Sequence, residues 1–452
     1  MNKFDCIKQS CQCLTKHSFW RLLQRQSIAI LLLAIALASP LRSAANSENI
    51  HVRIDVSASK DGVLLQQGFL HGFSVVNYQA ESLNMALLQP LQPSFWRIGL
   101  SNNFKQNYRL AKTLNPTVKI TLVLSDLLAA HYGGYGKLRP WRNWARYEQD
   151  VRTIVQSLHS KGYHIDYWDI WSEPDVKGFW SGNCDQAMEM LKRTHDVIRA
   201  EIPDAKITGP SISAFESKGM CKQPFLAQWI GYAALHKLKL DALSWHEFGQ
   251  PQDISPHVAI IRKHFQERPE LGMPEIHINE YSGPAGHAVP GLAVHWLHAL
   301  ENASVDWSSR ACWDKQCESG LNGLFRADNQ TPNPVYWVYR AYAEIASSRL
   351  GTQTNSGQVA AIAGLNKARK QLTVLIGTDP LMQKNESPIN IQVKNYPYST
   401  KKVNVVLKKI SAESLPSVLS THRIKSGSVS FQIDHIVPGD AFWIEMTESP
   451  SH

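Results

Sequence analysis

Short β-type segments alternate with helical segments between about residue 66 and residue 350, and this alternation constrains the fold more than any other feature of the chain. Segments 147–162 and 185–202 carry apolar residues at helical spacing, and Pro203 follows the second. Strands that alternate with helices predict a parallel sheet covered by helices. The strand candidates are 69–75, 94–99, 118–124, 167–173, 206–210, 241–248, 275–281 and 304–313.

Eight such strand and helix units over residues 66–350 predict a (β/α)₈ TIM barrel, a fold that typically takes ~250 residues. A doubly wound open sheet is the alternative. Such a sheet calls for a phosphate-binding glycine loop after its first strand, and none is there. GGYG (133–136) follows the third strand instead and lacks the Lys-Ser/Thr of a P-loop. The barrel is therefore the favoured α/β architecture.

The pattern changes after residue 350, where apolar segments are separated by turn residues without a helical period. Residues 351–452 are therefore predicted to form an all-β sandwich domain. The segment HVRIDVSAS (51–59) precedes the barrel, and an isolated strand needs a sheet to join. We expect residues 46–65 to supply an N-terminal strand that pairs with the C-terminal module. The segments of that module are 358–366, 371–378, 389–395, 402–410, 427–436 and 440–448.

Residues 1–45 have the pattern of a signal peptide. A basic stretch precedes the apolar run IAILLLAIALA (28–38), and small residues end the segment at Ser43, Ala44 and Ala45. The run is shorter than the ~20 residues that a membrane span needs. We expect cleavage near Asn46 and a periplasmic or extracellular protein without a membrane span. An uncleaved N-terminal anchor is the alternative.

The net charge is modest once the signal segment is removed. The whole chain carries +9, of which six Lys/Arg and one Asp lie in residues 1–45, so +4 remains. This charge permits an acidic polysaccharide but does not argue for one, and it gives no reason to expect nucleic acid as a partner.

The cysteines that follow the signal segment are four, an even number in a chain predicted to be exported, which favours disulfides. Three pairings are possible. Cys312 and Cys317 close a short loop in CWDKQC, which leaves Cys184 with Cys221. Four free buried thiols are the alternative. No CxxC pair or His/Cys cluster with metal spacing occurs, and we expect neither a metal nor a cofactor.

Two glutamates stand at predicted strand ends, which is where barrel enzymes keep their active sites. Glu173 ends the fourth strand in IWSEPD, and Glu280 ends the seventh in HINEYSG. A carboxylate in an apolar strand is costly to bury unless it is hydrogen-bonded or functional. Glycoside hydrolysis uses two carboxyl groups that face each other, one as acid and base and the other as nucleophile in retaining enzymes.

Four motifs resemble those of clan A glycoside hydrolases, most closely family 39 and its exopolysaccharide-cleaving relatives. They are IWSEPDVKGFW (170–180), LSWHEF (243–248), INEYSG (278–283) and NGLFRADNQTPNPVYWVYRAY (322–342). The resemblance covers nearly all of the chain after the signal segment. It implies that Glu173 is the acid/base and Glu280 the nucleophile.

The resemblance also suggests substrate-binding residues. Arg97 matches the arginine that keeps the nucleophile ionised, and His246 matches a histidine near the nucleophile. Tyr281 is expected either to contact the sugar or to pack in the interior, and Trp313 to stack on the sugar. The clan usually has Asn before the acid/base, whereas this chain has Ser172, which offers fewer hydrogen bonds.

The sequence therefore predicts a retaining O-glycosidase that acts on a polysaccharide or oligosaccharide. A non-catalytic glycan-binding protein with a hydrolase-like barrel is the main alternative, and Ser172 is the feature that favours it. Transglycosylation by the same two glutamates is a third hypothesis. The sugar, the linkage and the oligomeric state are not determined by these patterns.

Overall fold

Eight short parallel strands close into a barrel in the computed structural model. The structure describes residues 49–60, 66–71, 84–99, 104–282, 286–311, 320–326, 328, 330–345, 348–366, 368, 370–382, 388–396, 403–424 and 429–448. The barrel strands are β2 (Gly68–Leu70), β3 (Phe95–Ile98), β4 (Lys119–Val123), β5 (Tyr167–Asp169), β6 (Ile207–Ile212), β7 (Ala242–Glu247), β8 (Glu275–Tyr281) and β9 (Trp307–Arg310).

Helices connect consecutive barrel strands and cover the barrel. They are α1 (Met85–Leu88), α2 (Phe104–Leu114), α3 (Leu124–Tyr132), α4 (Trp144–Ser160), α5 (Cys184–Glu201), α6 (Phe225–Leu235), α7 (Ile254–Gln266), α8 (Pro290–Asn302) and α9 (Pro334–Glu344). Asn143 and Asn183 cap the N-termini of α4 and α5, which fixes where the loops after the third and fourth barrel strands end. Short 3₁₀ turns lie at Gln89–Leu91, Pro140–Arg142, Pro251–Asp253 and Pro269–Leu271.

Aromatic side chains fill the interior of the barrel toward the N-terminal ends of its strands, which we call the lower interior. Phe95 and Trp307 stack with their ring centroids 5.7 Å apart. Tyr167 and His277 pack edge to face at 4.7 Å, and Phe95 contacts both rings. Barrel strands are buried on both faces, so β3 is continuously buried although it contains Arg97. This lower aromatic layer lies one inward-facing position before the polar residues of the site.

A nine-stranded sheet forms the rest of the structure. Its strands are β1 (Ile50–Lys60), β10 (Arg349–Thr354), β11 (Val359–Asn366), β12 (Gln371–Thr378), β13 (Ile389–Lys394), β14 (Val403–Ser411), β15 (Ser414–Ile424), β16 (Val429–Ile433) and β17 (Ala441–Glu448). Their order in the sheet is β15-β14-β17-β12-β11-β10-β1-β13-β16, and the sheet has its own apolar core. The N-terminal strand β1 lies inside this sheet, antiparallel to β10 and parallel to β13.

The barrel contacts the sheet through α8. The backbone N–H of Gly291 donates to the carbonyl of Gly439 at 2.8 Å. A Cβ on Gly291 would lie 2.2 Å from the carbonyl oxygen of Thr378, and one on Gly377 would lie 2.3 Å from that of Gly291. Two glycines therefore allow the helix and the sheet to approach at backbone distance.

The predicted fold class, a TIM barrel with a C-terminal β domain, is confirmed. The fourth strand is shorter than predicted, because it ends at Asp169 and residues 170–173 continue as irregular backbone. The predicted signal segment 1–45 lies outside the described residues. Among the residues that the structure does describe, no helix has both the length and the apolar character needed to cross a membrane.

Candidate active site

Glu173 lies in the turn after the fourth barrel strand and is held there by the neighbouring strand β6. Its backbone has φ of 52°, the left-handed region that a residue with a side chain rarely adopts. Its N–H donates to the carbonyl of Ser211 at 2.9 Å, and Ser211 is itself left-handed, with φ of 51°. Pro174 follows directly and turns the chain away from the strand. The surrounding structure thus imposes a backbone conformation that costs of order 1–3 kcal/mol per residue.

Glu280 reaches the same place because β8 contains an irregularity. Trp245 of β7 pairs with Ile278 but His246 pairs with Glu280, so Asn279 is an extra residue in β8. In a regular strand Asn279 and Glu280 would face opposite sides of the sheet. Here Asn279 bonds Asp169 and Glu280 bonds Arg97, inside one connected cluster. The bulge therefore turns the Glu280 carboxylate toward the barrel mouth.

Arg97 links the two halves of this cluster and is fully buried. Its Nη1 donates to Glu280 Oε1 at 2.5 Å, and its Nε and Nη2 both lie 2.8 Å from Asp169 Oδ2. Its Nη2 also donates to Ser172 Oγ at 3.2 Å. Although burial by itself lowers the pKa of the guanidinium, the charges of Asp169 and Glu280 outweigh burial and leave that pKa raised. Arg97 is thus a permanent buried cation between two carboxylates.

His246 lies between the two glutamates. Its Nδ1 is 2.9 Å from Glu173 Oε1, and its Nε2 is 3.6 Å from Glu280 Oε1. Burial lowers the pKa of the imidazole to about 4, and the nearby Arg97 acts in the same direction. The ring is therefore neutral near pH 7, and its contact with Glu173 is a hydrogen bond rather than an ion pair.

The carboxyl group of Glu173 has a raised pKa. Burial, with the negative charge of Asp175 close by, raises the pKa of the Glu173 carboxyl to about 7, although Arg97 acts against the shift. Its side chain remains 18% exposed, whereas that of Glu280 is 4% exposed and lies on Arg97. A carboxyl group with a pKa near 7 can both donate and accept a proton near neutral pH.

The separation of the two carboxyl groups determines which chemistry they can perform. One oxygen of Glu173, one oxygen of Glu280 and one nitrogen of His246 all lie within 4.8 Å of one another. Retaining glycosidases have carboxyl groups ~5–5.5 Å apart, and inverting ones ~6.5–9.5 Å. The same three atoms have a spacing that would suit a metal ion, but Glu280 Oε1 already accepts from the Arg97 cation at 2.5 Å. That positive charge disfavours a second cation at the same oxygen.

The remaining sequence candidates separate into three groups. Arg97, Ser172 and His246 lie within the cluster described above. Tyr281 does not, because it is fully buried and its hydroxyl is 2.9 Å from that of Tyr339. Of its two predicted roles the structure supports packing, and the assignment as a sugar contact is corrected. Trp313 lies outside the described residues, as do Cys312 and Cys317. The predicted Cys184–Cys221 disulfide is confirmed.

Several residues of the site were missed in the sequence. Asp169 accepts from Arg97 and from Ser211 Oγ, and Asn279 Nδ2 bonds both Asp169 and Ser211. Asp169 was detectable, because it is a lone carboxylate in the apolar strand YWDIW, the same signal that identified the glutamates. Asn279 and Ser211 carry no comparable signal, since their position depends on bulges in β8 and β6.

A second group of polar residues continues the site toward the first three barrel strands. His71 Nδ1 accepts from the Gly99 N–H at 3.0 Å, and burial lowers the pKa of this imidazole to about 4. Tyr135 donates to Asp126 at 2.5 Å and lies 2.8 Å from Ser125 Oγ, which accepts from the Ser172 N–H. The loop after the third strand is thereby connected to the residue before Glu173.

Solved structures of clan A glycoside hydrolases share the fold of this chain, a closed parallel barrel with a C-terminal β domain, as the sequence motifs predict. No family model matches the chain, and no curated protein matches it in sequence.

Three solved structures illustrate the likeness. The protein N2152 from Neocallimastix frontalis has a TM-score of 0.72 at 18% identity and covers 89% of this chain and 100% of its own. A glucosidase from Croceicoccus marinus has a TM-score of 0.68 at 15% identity, over 89% of this chain and 99% of its own. A glycoside hydrolase family 39 enzyme from Xanthomonas axonopodis pv. citri has a TM-score of 0.65 at 13% identity, over 91% and 99%. At these identities the likeness concerns the fold.

Proposed function

We propose that this protein is a retaining glycoside hydrolase that cleaves O-glycosidic bonds of a polysaccharide or oligosaccharide. The observation that carries the proposal is the pair Glu173 and Glu280, which have oxygens within 4.8 Å of each other and unequal electrostatic environments. This spacing suits direct attack by one carboxylate and leaves less room for the intervening water that inversion requires. The fold shared with clan A glycosidases is a supporting argument.

In the first step Glu280 attacks the anomeric carbon, and a covalent glycosyl ester forms as the bond to the leaving oxygen breaks. Glu173, protonated below its pKa of about 7, gives its proton to that oxygen. Arg97 donates to Glu280 and holds its carboxylate in place before attack. The guanidinium cannot deprotonate, so it supplies positive charge to the site at every working pH.

In the second step Glu173, now ionised, takes a proton from water while the water oxygen attacks the anomeric carbon. The ester bond to Glu280 breaks and the sugar leaves with its original configuration. His246 contacts Glu173 at 2.9 Å and orients that carboxylate during both steps. Because the imidazole is neutral, it does not compete as a proton donor.

The proposal includes export, which rests on the sequence of residues 1–45. Export is consistent with the Cys184–Cys221 disulfide, because such bonds persist in oxidising compartments. A polysaccharide outside the cytoplasm is then the accessible substrate.

The decisive experiment exchanges each glutamate for alanine and supplies azide with a nitrophenyl glycoside as substrate. Glu280→Ala should lose at least about 10⁴-fold in kcat, because no other group can form the ester. Glu173→Ala should still form the ester, since nitrophenolate needs no proton, and the ester should accumulate. Azide needs no general base, so it should restore turnover of Glu173→Ala and release a glycosyl azide of retained configuration.

The configuration of the azide product separates the outcomes. Azide attack on Glu280→Ala should give the inverted glycosyl azide. If Glu173→Ala gave the inverted azide and Glu280→Ala the retained one, Glu173 would be the nucleophile and Glu280 the acid/base. If both variants kept full activity on the natural substrate, the glutamate pair would not be the active site. Glycan binding without any hydrolysis by the wild-type protein would instead support the alternative of a non-catalytic glycan-binding protein, and Ser172 in place of Asn is the feature in its favour.

A further inference from the structure

Three loops at the mouth of the barrel pack against one another and form a continuous surface beside Glu173. They follow the third, fourth and fifth barrel strands, and we call residues 133–143, 174–183 and 213–224 the basic wall. The fourth-strand loop begins directly after Glu173, and the third-strand loop reaches Ser172 through Tyr135 and Ser125. The wall therefore starts at the proposed acid/base.

Aromatic contacts join the third-strand loop to the fourth-strand loop. The ring of Tyr135 lies 4.9 Å from that of Phe179, and the ring of Trp141 lies 4.8 Å from that of Trp180. Tyr135, Phe179 and Trp141 are each only half-buried, so parts of their rings face solvent. Such rings at the edge of a sugar site offer flat apolar surfaces to a pyranose.

Polar contacts and a disulfide join the fourth-strand loop to the fifth-strand loop. Ser213 donates to Asp175 at 2.5 Å, and Cys184 at the start of α5 is bonded to Cys221. Gly219, with φ of 52°, approaches so closely that an added Cβ would lie 2.7 Å from the carbonyl oxygen of Asp175. The three loops are thus held as one surface rather than as independent segments.

The charge of this surface is one-sided. Of its acidic residues, Asp175 is buried and Glu216 is exposed, whereas six exposed residues of the wall are basic. The six are Lys137, Arg139, Arg142, Lys177, Lys218 and Lys222. Within the part of the chain that the structure describes, no ion pair or side-chain hydrogen bond involves any of them. By contrast, Arg146, Arg152 and Arg193 on neighbouring helices all pair with carboxylates.

We propose that the basic wall binds an acidic polysaccharide and leads it into the site, so that the substrate carries carboxylate or sulfate groups. The inference rests on the proposed function and specifies its substrate class. Six unpaired cations beside one exposed acid create a local positive potential that a net charge of +4 does not reveal. Arginine forks match carboxylate and sulfate oxygens, and the half-buried rings favour a sugar polymer over other polyanions.

The test measures binding, so that it does not depend on turnover. The Glu280→Ala protein would be titrated with polygalacturonate and with the same polymer after reduction of its carboxyl groups to alcohols. Dextran sulfate would distinguish sulfate from carboxylate, and duplex DNA would represent a polyanion that has no pyranose rings. We expect the reduced polymer to bind at least about tenfold more weakly than polygalacturonate, and 0.5 M NaCl to remove most of that difference.

The charge-reversal variant Arg139→Glu/Arg142→Glu should weaken binding of polygalacturonate by about tenfold and leave the reduced polymer unaffected. Lys161→Glu/Lys263→Glu is the matched control. It makes the same change in net charge near the C-terminal ends of α4 and α7, at the opposite end of the barrel, and should change affinity less than about twofold.

Three results would overturn the inference: equal binding of parent and reduced polymers, including no binding of either; equal losses in the two charge variants; or affinity for DNA that matches the acidic glycans. Hydrolysis by the wild-type protein is measured separately. Binding without hydrolysis would contradict the proposed function and leave the basic wall in place.

Discussion

The same strands build the lower interior of the barrel and the upper interior beside the active site, but the two layers differ in their contribution to folding stability. Phe95, Tyr167 and His277 form the lower aromatic layer, and the next inward positions on the same three strands are Arg97, Asp169 and Asn279. The lower layer gains free energy by burying rings in close contact. The upper layer buries a cation and two carboxylates, and such clusters seldom gain stability over an apolar core.

The upper layer is the part of the barrel in which polar groups and backbone conformations cost folding free energy. Asp169 is fully buried, and burial raises the pKa of its carboxyl despite the Arg97 charge beside it. Glu173 and Ser211 hold left-handed backbone conformations beside the same cluster. Two residues earlier on the same strands, Phe95, Tyr167 and His277 of the aromatic layer have no left-handed backbone. The barrel therefore supports a destabilised site on a well-packed base.

The largest expected effect comes from the upper layer. Asp169→Asn removes the charge that fixes Arg97 without changing the shape of the side chain. The guanidinium should then hold Glu280 less firmly, and kcat should fall by about 10²–10³ while KM changes little. Steady-state kinetics on the identified substrate measure this split. As the control, Tyr167→Phe deletes a hydroxyl in the lower layer and should leave kcat unchanged. A similar loss of kcat in the two variants would contradict the proposed difference between the layers.

The pH dependence of the reaction should reflect Glu173. The acid must be protonated to assist departure of the leaving group, and the pKa of its carboxyl is raised to about 7 by burial and Asp175. Well above that pKa kcat/KM should fall about tenfold per pH unit, which amounts to about 50-fold between pH 7, where half of the acid is protonated, and pH 9. A nitrophenyl glycoside, which needs no protonation, should show little of this decline; an equal decline would assign it to another group.

The same pKa predicts a change in folding stability. In the unfolded chain Glu173 titrates near 4.5, and its folded pKa is raised, so folding favours the protonated form. This contribution is complete below pH 4.5 and is lost as pH rises through about 7. Glu173→Gln keeps this position neutral at every pH, so the variant should be about 2–3 kcal/mol more stable than wild type at pH 8 and equal to it at pH 4. Denaturant unfolding at both values tests this, and a gain at pH 4 as large as at pH 8 would contradict it.

A smaller effect is expected in the lower layer. Phe95→Leu replaces a ring that stacks on Trp307 with an aliphatic side chain of smaller volume. The free energy of unfolding should fall by about 1 kcal/mol, with kcat of the folded enzyme unchanged. Chemical denaturation and kinetics on the same sample would show both. A loss of kcat with unchanged stability would show that the aromatic layer also positions the site.

The smallest effect is expected from removal of divalent metals. The oxygen of Glu280 nearest His246 already accepts from Arg97, and that charge disfavours a metal ion there. Activity after dialysis against excess EDTA should therefore remain within about 20% of its starting value. A loss that zinc or manganese restores would reassign Glu173, His246 and Glu280 as metal ligands.

The sequence identified the barrel strands because their apolar segments are bounded by turns and separated by helical periods. All eight observed barrel strands overlap predicted segments. Two strands of the C-terminal sheet were not predicted, Arg349–Thr354 and Ser414–Ile424. The first is polar with a central glycine, and the second contains Pro416 at the edge of the sheet, so neither has the apolar alternation that marks a strand. Their hydrogen bonds to neighbouring strands define them.

The order of the elements and the two glutamates could be predicted from the amino-acid sequence, because hydrophobic periodicity and a charge in an apolar strand are local signals. Which side chains contact one another depends on the tertiary structure. The extra residue in β8 turns Glu280 toward Arg97, and contact with Ser211 fixes the backbone of Glu173. Tyr281 follows Glu280 directly yet faces Tyr339 in the interior. Register and bulges depend on pairing with strands distant in sequence, so no local pattern contains them.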